Sequence, residues 1–216
     1  MILEPRREIL VATRNSGKIR EIRDALRSLP VKLRHLDEFP NVSSIEEVGR
    51  TYQENALLKA LGYSKQTGLC ALADDSGLEV DALGGMPGVF SARFRGEDAP
   101  DAERIKKLLT MLSERPASKR TARFVCCMVL ADWEGDEQPI TLADPCVLKV
   151  TEARCEGYIA NVARGTNGFG FDPVFVPEDY SMTFAELPHE VKATISHRAL
   201  ALNAMRRFLD GWLAQT

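Results

Sequence analysis

The chain has 216 residues, 44% of them hydrophobic, which is enough for a sizeable core in one large domain or two small lobes. Its 28 Lys and Arg against 31 Asp and Glu leave a net charge of −3, so there is no overall attraction for a nucleic-acid backbone or an acidic membrane, and both are excluded as bulk partners. An anionic ligand must instead meet a local cluster of cations.

The opening MILEPRRE puts charges where a secretory leader needs an apolar run, and no apolar stretch approaches the ~18 residues of a spanning helix, so the expected location is the cytoplasm. Cys70, Cys126, Cys127, Cys146 and Cys155 make an odd set with no C-x-x-C pair. They read as reduced packing residues rather than as a disulfide framework or a structural zinc site.

Ile9 to Ala12 is a short apolar run, and Ile19, Ile22, Leu26 and Leu29 follow Ser16-Gly17 at helical spacing, which predicts a strand, a tight loop and a helix. Val31, Leu33 and His35 alternate as a second strand, and the acidic segment Asn41 to Gly49 reads as a loop. Thr51-Tyr-Gln-Glu54 is a capping-box pattern that opens a helix carrying Ala56, Leu57, Ala60 and Leu61 on one face, with Gly68 as its stop. Cys70 to Ala73 and Leu78 to Val80 are short strand candidates, which puts Asp74 to Gly77 at a strand end or turn, and Gly84 to Gly88 is a loop. Pro100 to Glu114 reads as a helix, Ala122 to Trp133 and Pro145 to Ala153 as strands, and the tail from Ser196 as an amphipathic helix. The sum is an α/β (mixed α+β) protein with a mixed sheet and flanking helices, in two lobes around a central cleft.

Five places carry chemistry. The loop Thr13-Arg14-Asn15-Ser16-Gly17-Lys18 joins a strand to a helix, where free N–H groups favour an anion. It is no ordinary P-loop, because Ala12 stands where the first Gly belongs and Ile19 where Ser or Thr would meet Mg²⁺. A plain turn with a solvated Lys18 is the other reading. Asp74-Asp75-Ser76-Gly77 offers two carboxylates after an apolar strand, one suited to a metal and one to a proton, or else an Asx-type turn. Glu46-Glu47 can add an oxygen ligand, since Mg²⁺ typically takes one or two carboxylates and completes its shell with water and phosphate oxygens. Gly168-Phe169-Gly170-Phe171-Asp172 combines a flexible backbone, an aromatic face and a carboxylate, which suits a planar base; a buried turn is the alternative. Lys192 and Ser196-His197-Arg198 then gather donors at the start of the last helix, or serve as capping and surface groups there.

In this order, the blocks VATRNSGK, EEVGRTYQENALLKA, ADDSGLEVDALGGMPGVFSARF, GFGFDPVF and SHRALAL resemble the inosine triphosphate pyrophosphatase family, in its bacterial XTP/dITP branch. The resemblance runs from Ile9 to the final helix. It implies a single two-lobed domain over residues 1–216 with a long mixed sheet and a nucleotide cleft, in a homodimer. It implies Mg²⁺ as cofactor and a small-molecule nucleoside triphosphate as substrate. Thr13, Arg14, Asn15, Ser16, Gly17 and Lys18 would hold the triphosphate, Glu46 and Asp75 the metal, and Ser76 the substrate, with Asp75 activating water. Phe169, Gly170, Phe171, Asp172, Lys192, His197 and Arg198 would surround the nucleotide, and Lys59 would add a phosphate contact. Arg14, Val191 and Ala193 depart from the family's usual residues without removing a functional group. The implied reaction is hydrolysis of ITP, dITP or XTP to the monophosphate and pyrophosphate. A pyrophosphatase for other nucleotides, or a nucleotide-binding module without catalysis, are the competing readings.

Overall fold

The computed structural model describes residues 7–96, 99–116, 119–133 and 146–214. The opening MILEPR and Pro145, which figure in the expectations above, lie outside them. The elements are β1 (Arg7–Val11), α1 (Ser16–Leu26), β2 (Val31–His35), α2 (Tyr52–Thr67), β3 (Cys70–Val80), α3 (Asp101–Met111), β4 (Thr121–Ala131), β5 (Val147–Ile159), β6 (Phe175–Pro177), α4 (His189–Ile195) and α5 (His197–Leu213). Six strands form one sheet in the order β2-β1-β3-β4-β5-β6; β1 is parallel to β2 and β3, and β6 is antiparallel to β5. The expected mixed α/β architecture is therefore the one observed. No helix among the described residues is long and apolar enough to cross a membrane.

The chain divides into two compact units: Met1–Asp75 with Cys127–Glu152 and Ala201–Thr216, and Ser76–Cys126 with Ala153–Leu200. In the first unit β1-α1-β2 steps one way along the sheet, and β2-α2-β3 steps back past β1. With right-handed crossovers, these opposite steps put α1 and α2 on opposite faces. The residue pattern agrees. Leu10, Ala12, Ala71 and Ala73 share a core with Ala56, Leu57, Ala60 and Leu61 of α2. Alternate strand residues face the other way, where the buried Ile22 and Leu26 of α1 belong. α2 has both expected caps: Thr51 and Glu54 form a reciprocal capping box, and Gly68 closes the helix in the left-handed conformation at φ 65.

The second unit has its own core, in which Leu78, Val80, Ile105, Leu108, Phe124, Phe175 and Phe184 are buried together. Arg120 is buried with it and closes α3, its guanidinium donating to the carbonyls of Leu112 at 2.8 Å and Arg115 at 2.9 Å.

Three expectations are corrected. Asp74 to Gly77 is not a turn but the middle of an eleven-residue strand, buried except at Ser76 and Glu79. A polar stretch can stay in the sheet when each polar side chain has a partner, and Asp74, Asp75 and Ser76 do. β5 continues past Ala153 to Ile159. Gly157 within it is a close-approach position: a Cβ there would collide with the Val176 carbonyl of β6. Finally, β6 and the short helix α4 were not foreseen; both are too short for a periodic signal.

Candidate active site

In an open α/β sheet, ligands gather beyond the carboxyl ends of the strands where the chain order reverses. Here that point lies between β1 and β3. β1 ends at Val11, opposite Leu72, while β3 runs on through Asp74 and Asp75. Both carboxylates therefore project just past the end of β1, one to each face.

Asp74 continues the Cys70-Leu72 face toward α1, and its fully buried carboxylate lies 3.1 Å from Lys18 Nζ. The loop before α1 is shaped by its own side chains. Thr13 Oγ1 accepts the Asn15 N–H at 3.2 Å, and Asn15 caps the helix by accepting the Lys18 N–H at 3.0 Å. Asn15 and Ser16 are exposed and Gly17 is buried, so the helix N-terminus opens outward beside the Lys18–Asp74 pair. The Arg14 side chain leads away to Asp37, 3.1 Å off in an exposed pair.

Asp75 continues the Ala71-Ala73 face toward α2. Asn55 Nδ2 donates to its Oδ2 at 3.1 Å, and Lys59 Nζ lies 3.6 Å from its Oδ1. Burial pushes the Asp75 carboxyl above its ordinary range; the Lys59 and Lys18 ammonium groups oppose that push, Glu47 adds to it, and the Asn55 hydrogen bond opposes it. Burial acts to lower Lys59, but the carboxylates of Asp75, Glu47 and Asp74 outweigh it and hold this lysine above its usual value, as an ammonium. A desolvated carboxylate beside fixed donors is a stronger base than one in water, which is the property proton abstraction needs.

The acidic loop brings a third carboxylate to this group, that of Glu47, the neighbour of the expected ligand Glu46. Glu47 Oε1 meets Lys59 Nζ at 2.6 Å, whereas Glu46 is exposed. The reason is periodic: Ile45, Glu47 and Gly49 are half-buried while Ser44, Glu46 and Val48 are exposed, as in an extended segment with one face on the protein. Distance along the chain from Gly49 does not reveal that parity.

The second unit builds a different group. Lys192 Nζ and Asp172 Oδ2 pair at 2.5 Å, both side chains buried, and the same Oδ2 accepts the Phe169 N–H at 2.9 Å. The turn depends on Gly168, at φ 78, where a Cβ would collide with the Asp172 carboxylate. The Gly170 N–H donates to Asp101 Oδ2 at 2.7 Å, which ties the turn to the first residue of α3. The half-buried Phe169 ring has Lys192 Nζ 5.1 Å and the Arg198 guanidinium 5.5 Å from its centroid. Arg198 also donates to Ser76 Oγ at 2.7 Å. Two predicted members rest on neighbouring rings: the Phe171 ring packs edge-on to Phe94 at 6.3 Å, and the His197 ring stacks on Phe124 at 4.6 Å.

The structure thus gathers Thr13 to Lys18 with Asp75 in one unit, and Ser76, Phe169 to Asp172, Lys192, His197 and Arg198 in the other. Sequence reasoning missed Asn55 and Asp101, and it named Glu47 only as the neighbour of Glu46. Asn55 left a signal: it is a polar residue on the apolar face of α2, one helical turn before Lys59.

Taken by class, this is a switch-point α/β protein with buried carboxylates and lysines beside a helix N-terminus that suits an anion. Residues 9–208 match the model of the Ham1 family, and the chain belongs to that family. It is similar to a dITP/XTP pyrophosphatase of Bacillus cereus, at 42% identity over 97% of this chain and 98% of the relative. Among solved structures it is similar to a HAM1 protein from Coxiella burnetii, at a TM-score of 0.82 and 43% identity, over 95% of this chain and 99% of that one. It also resembles a nucleoside-triphosphatase / dITP/XTP pyrophosphatase from Mycobacterium abscessus, at a TM-score of 0.69 and 44% identity, over 92% of this chain and 98% of that one.

Proposed function

We propose that this chain is a nucleoside-triphosphate pyrophosphatase that hydrolyses ITP, dITP and XTP to the monophosphate and pyrophosphate, working with Mg²⁺. The observation that carries the reading is the buried Asp75 carboxylate, made more basic by burial and held by Asn55 and Lys59 at the switch point.

The donor set fits the metal. Asp75 and Glu47 offer hard carboxylate oxygens on one ammonium, Lys59, and carboxylates outnumber lysines in the group formed by Asp74, Asp75, Glu47, Lys18 and Lys59. Two carboxylates on one ammonium suit an ion that typically takes one or two carboxylates and leaves the rest of its shell to water and phosphate. When bound, Mg²⁺ neutralises phosphate charge and stabilises the pyrophosphate leaving group.

The residues do the rest. Thr13 to Lys18 hold the triphosphate through the α1 N-terminus and the Lys18 ammonium. Asp75 takes a proton from the attacking water as the water oxygen bonds to the α-phosphorus and the bond to the β-phosphate bridge breaks. Phe169 offers its face to the purine, and Lys192, His197, Arg198 and Ser76 supply donors at the second-unit group. A donor committed to the 6-keto oxygen discriminates against adenine, because an amino group there leaves a buried donor unmatched. The same reading makes residues 1–216 one catalytic domain of a cytoplasmic homodimer.

Pyrophosphate release from ITP, dITP, XTP, dATP and GTP in Mg²⁺ tests this. Fast release from the first three is expected; equal rates on all five would defeat the selectivity, and no release from any would defeat the activity.

A further inference from the structure

Residues 43–49 lie along α2 by alternate residues. The Ser43 N–H donates to Gln66 Oε1 at 2.8 Å, and Gln66 Nε2 returns a bond to the Ser43 carbonyl at 3.2 Å. The Ile45 N–H reaches the Tyr63 hydroxyl at 3.5 Å, Glu47 takes Lys59 at 2.6 Å, and the Gly49 N–H donates to Asn55 Oδ1 at 2.8 Å. The odd-numbered residues thus descend α2 through positions 66, 63, 59 and 55. Two residues of extended chain advance about 6.6 Å, and three or four residues of helix about 4.5–6 Å, so the two periods stay nearly matched over these steps.

Asn55 ends this series and is fully buried. Its amide joins the backbone of the segment to Asp75, as Lys59 joins the Glu47 side chain to it: Oδ1 accepts from Gly49 while Nδ2 donates to Asp75 Oδ2. The two bonds fix each other. A flipped amide would set its NH₂ against the Gly49 N–H and its oxygen against a carboxylate. The approach is close enough that a Cβ on Gly49 would lie 2.6 Å from Asn55 Oδ1 and 2.7 Å from Glu54 Cβ.

We propose that Asn55 is a positioning residue: through one amide it orients the Asp75 carboxylate and anchors the end of segment 43–49 that brings Glu47 to Lys59. This rests on the reading of Asp75 as the base. Asn55 touches no reacting atom; it acts by holding Asp75 Oδ2 and the Gly49 N–H.

The test is a double-mutant cycle on the full chain, with ITP and Mg²⁺ and the fold checked by circular dichroism. Losing a hydrogen bond to a charged group predicts that Asn55→Leu lowers kcat about 10- to 100-fold with KM within about threefold of wild type. In an Asp75→Asn background the same substitution should cost almost nothing further. Hydrogen exchange at the Gly49 amide should accelerate in Asn55→Leu, with or without Asp75. Should Asn55→Leu not fold, Asn55→Ser carries the same three expectations. A full multiplicative loss in the Asp75→Asn background, an unchanged kcat, or an unchanged Gly49 amide would each overturn the proposal. These outcomes leave the activity standing if wild type releases pyrophosphate; a wild type inert on ITP, dITP and XTP removes both.

Discussion

The two units treat buried charge differently. In the first, carboxylates sit on a central strand and each is met by a lysine from a helix on its own face: Lys18 for Asp74, and Lys59, shared with Glu47, for Asp75. In the second, one tight pair, Asp172 with Lys192, holds a turn in place and carries an aromatic ring beside two cations. Regular elements fix the first group, which suits chemistry that depends on the placement of one oxygen; a glycine turn fixes the second, which suits recognition of a flat surface. The contrast predicts that charge removal harms catalysis in one unit and folding in the other.

The largest effect should come from Asp75→Asn. A positioned general base is worth roughly 10²–10⁴ in rate, or about 3–5 kcal/mol of barrier, so kcat on ITP should fall by at least that factor. Stability should not fall with it. The folded Asp75 pKa is raised, foremost by burial, so the stability its proton lends is whole below the unfolded value and is lost as pH rises through the folded one. At neutral pH without metal, the neutral amide should melt no lower than wild type. A variant with near-wild-type turnover would remove Asp75 from the mechanism, and one that melts well below wild type would erase the contrast.

Lys192→Met should reverse the pattern. Lys192 is 7% exposed and Asp172 3%, and removing one partner of such a pair typically costs about 3–5 kcal/mol because the other charge stays buried. Denaturant unfolding should show a loss of that order, with freer proteolysis around Phe169, and KM for ITP should rise more than kcat falls. Unchanged stability would mean that water relaxes the Asp172 carboxylate, and that the second group is not the fixed platform described here.

Much of this was readable beforehand. Caps announce themselves locally, so Thr51, Glu54 and Gly68 marked both ends of α2. The motif order placed Asp75 and the loop before α1. What stayed hidden depended on partners distant in sequence. Asp74 to Gly77 looked like a turn because acidic residues and glycine favour one locally; Lys18, Asn55, Lys59 and Arg198, which keep the strand in the sheet, come from α1, α2 and α5. Phe171 and His197 read equally as base-site groups or as packing and capping groups, and their rings rest on Phe94 and Phe124, which lie far off in sequence.

Glu46 and Glu47 are a finer case, because two identical neighbours differ only by the parity of an extended segment. Glu47 faces α2 and shares Lys59 with Asp75, while Glu46 faces outward. If the first unit's chemistry sits on the α2 face, Glu47→Gln should raise the Mg²⁺ concentration for half-maximal activity about tenfold or more, and weaken Mn²⁺ binding to the free protein, measured by electron paramagnetic resonance. Second carboxylates on hard cations are commonly worth that much, since Mg²⁺ is held by only one or two. Glu46→Gln should stay within about twofold of wild type in both measurements, as a surface substitution away from any partner does. The reverse order would show that the parity seen along α2 does not hold in the metal-bound protein.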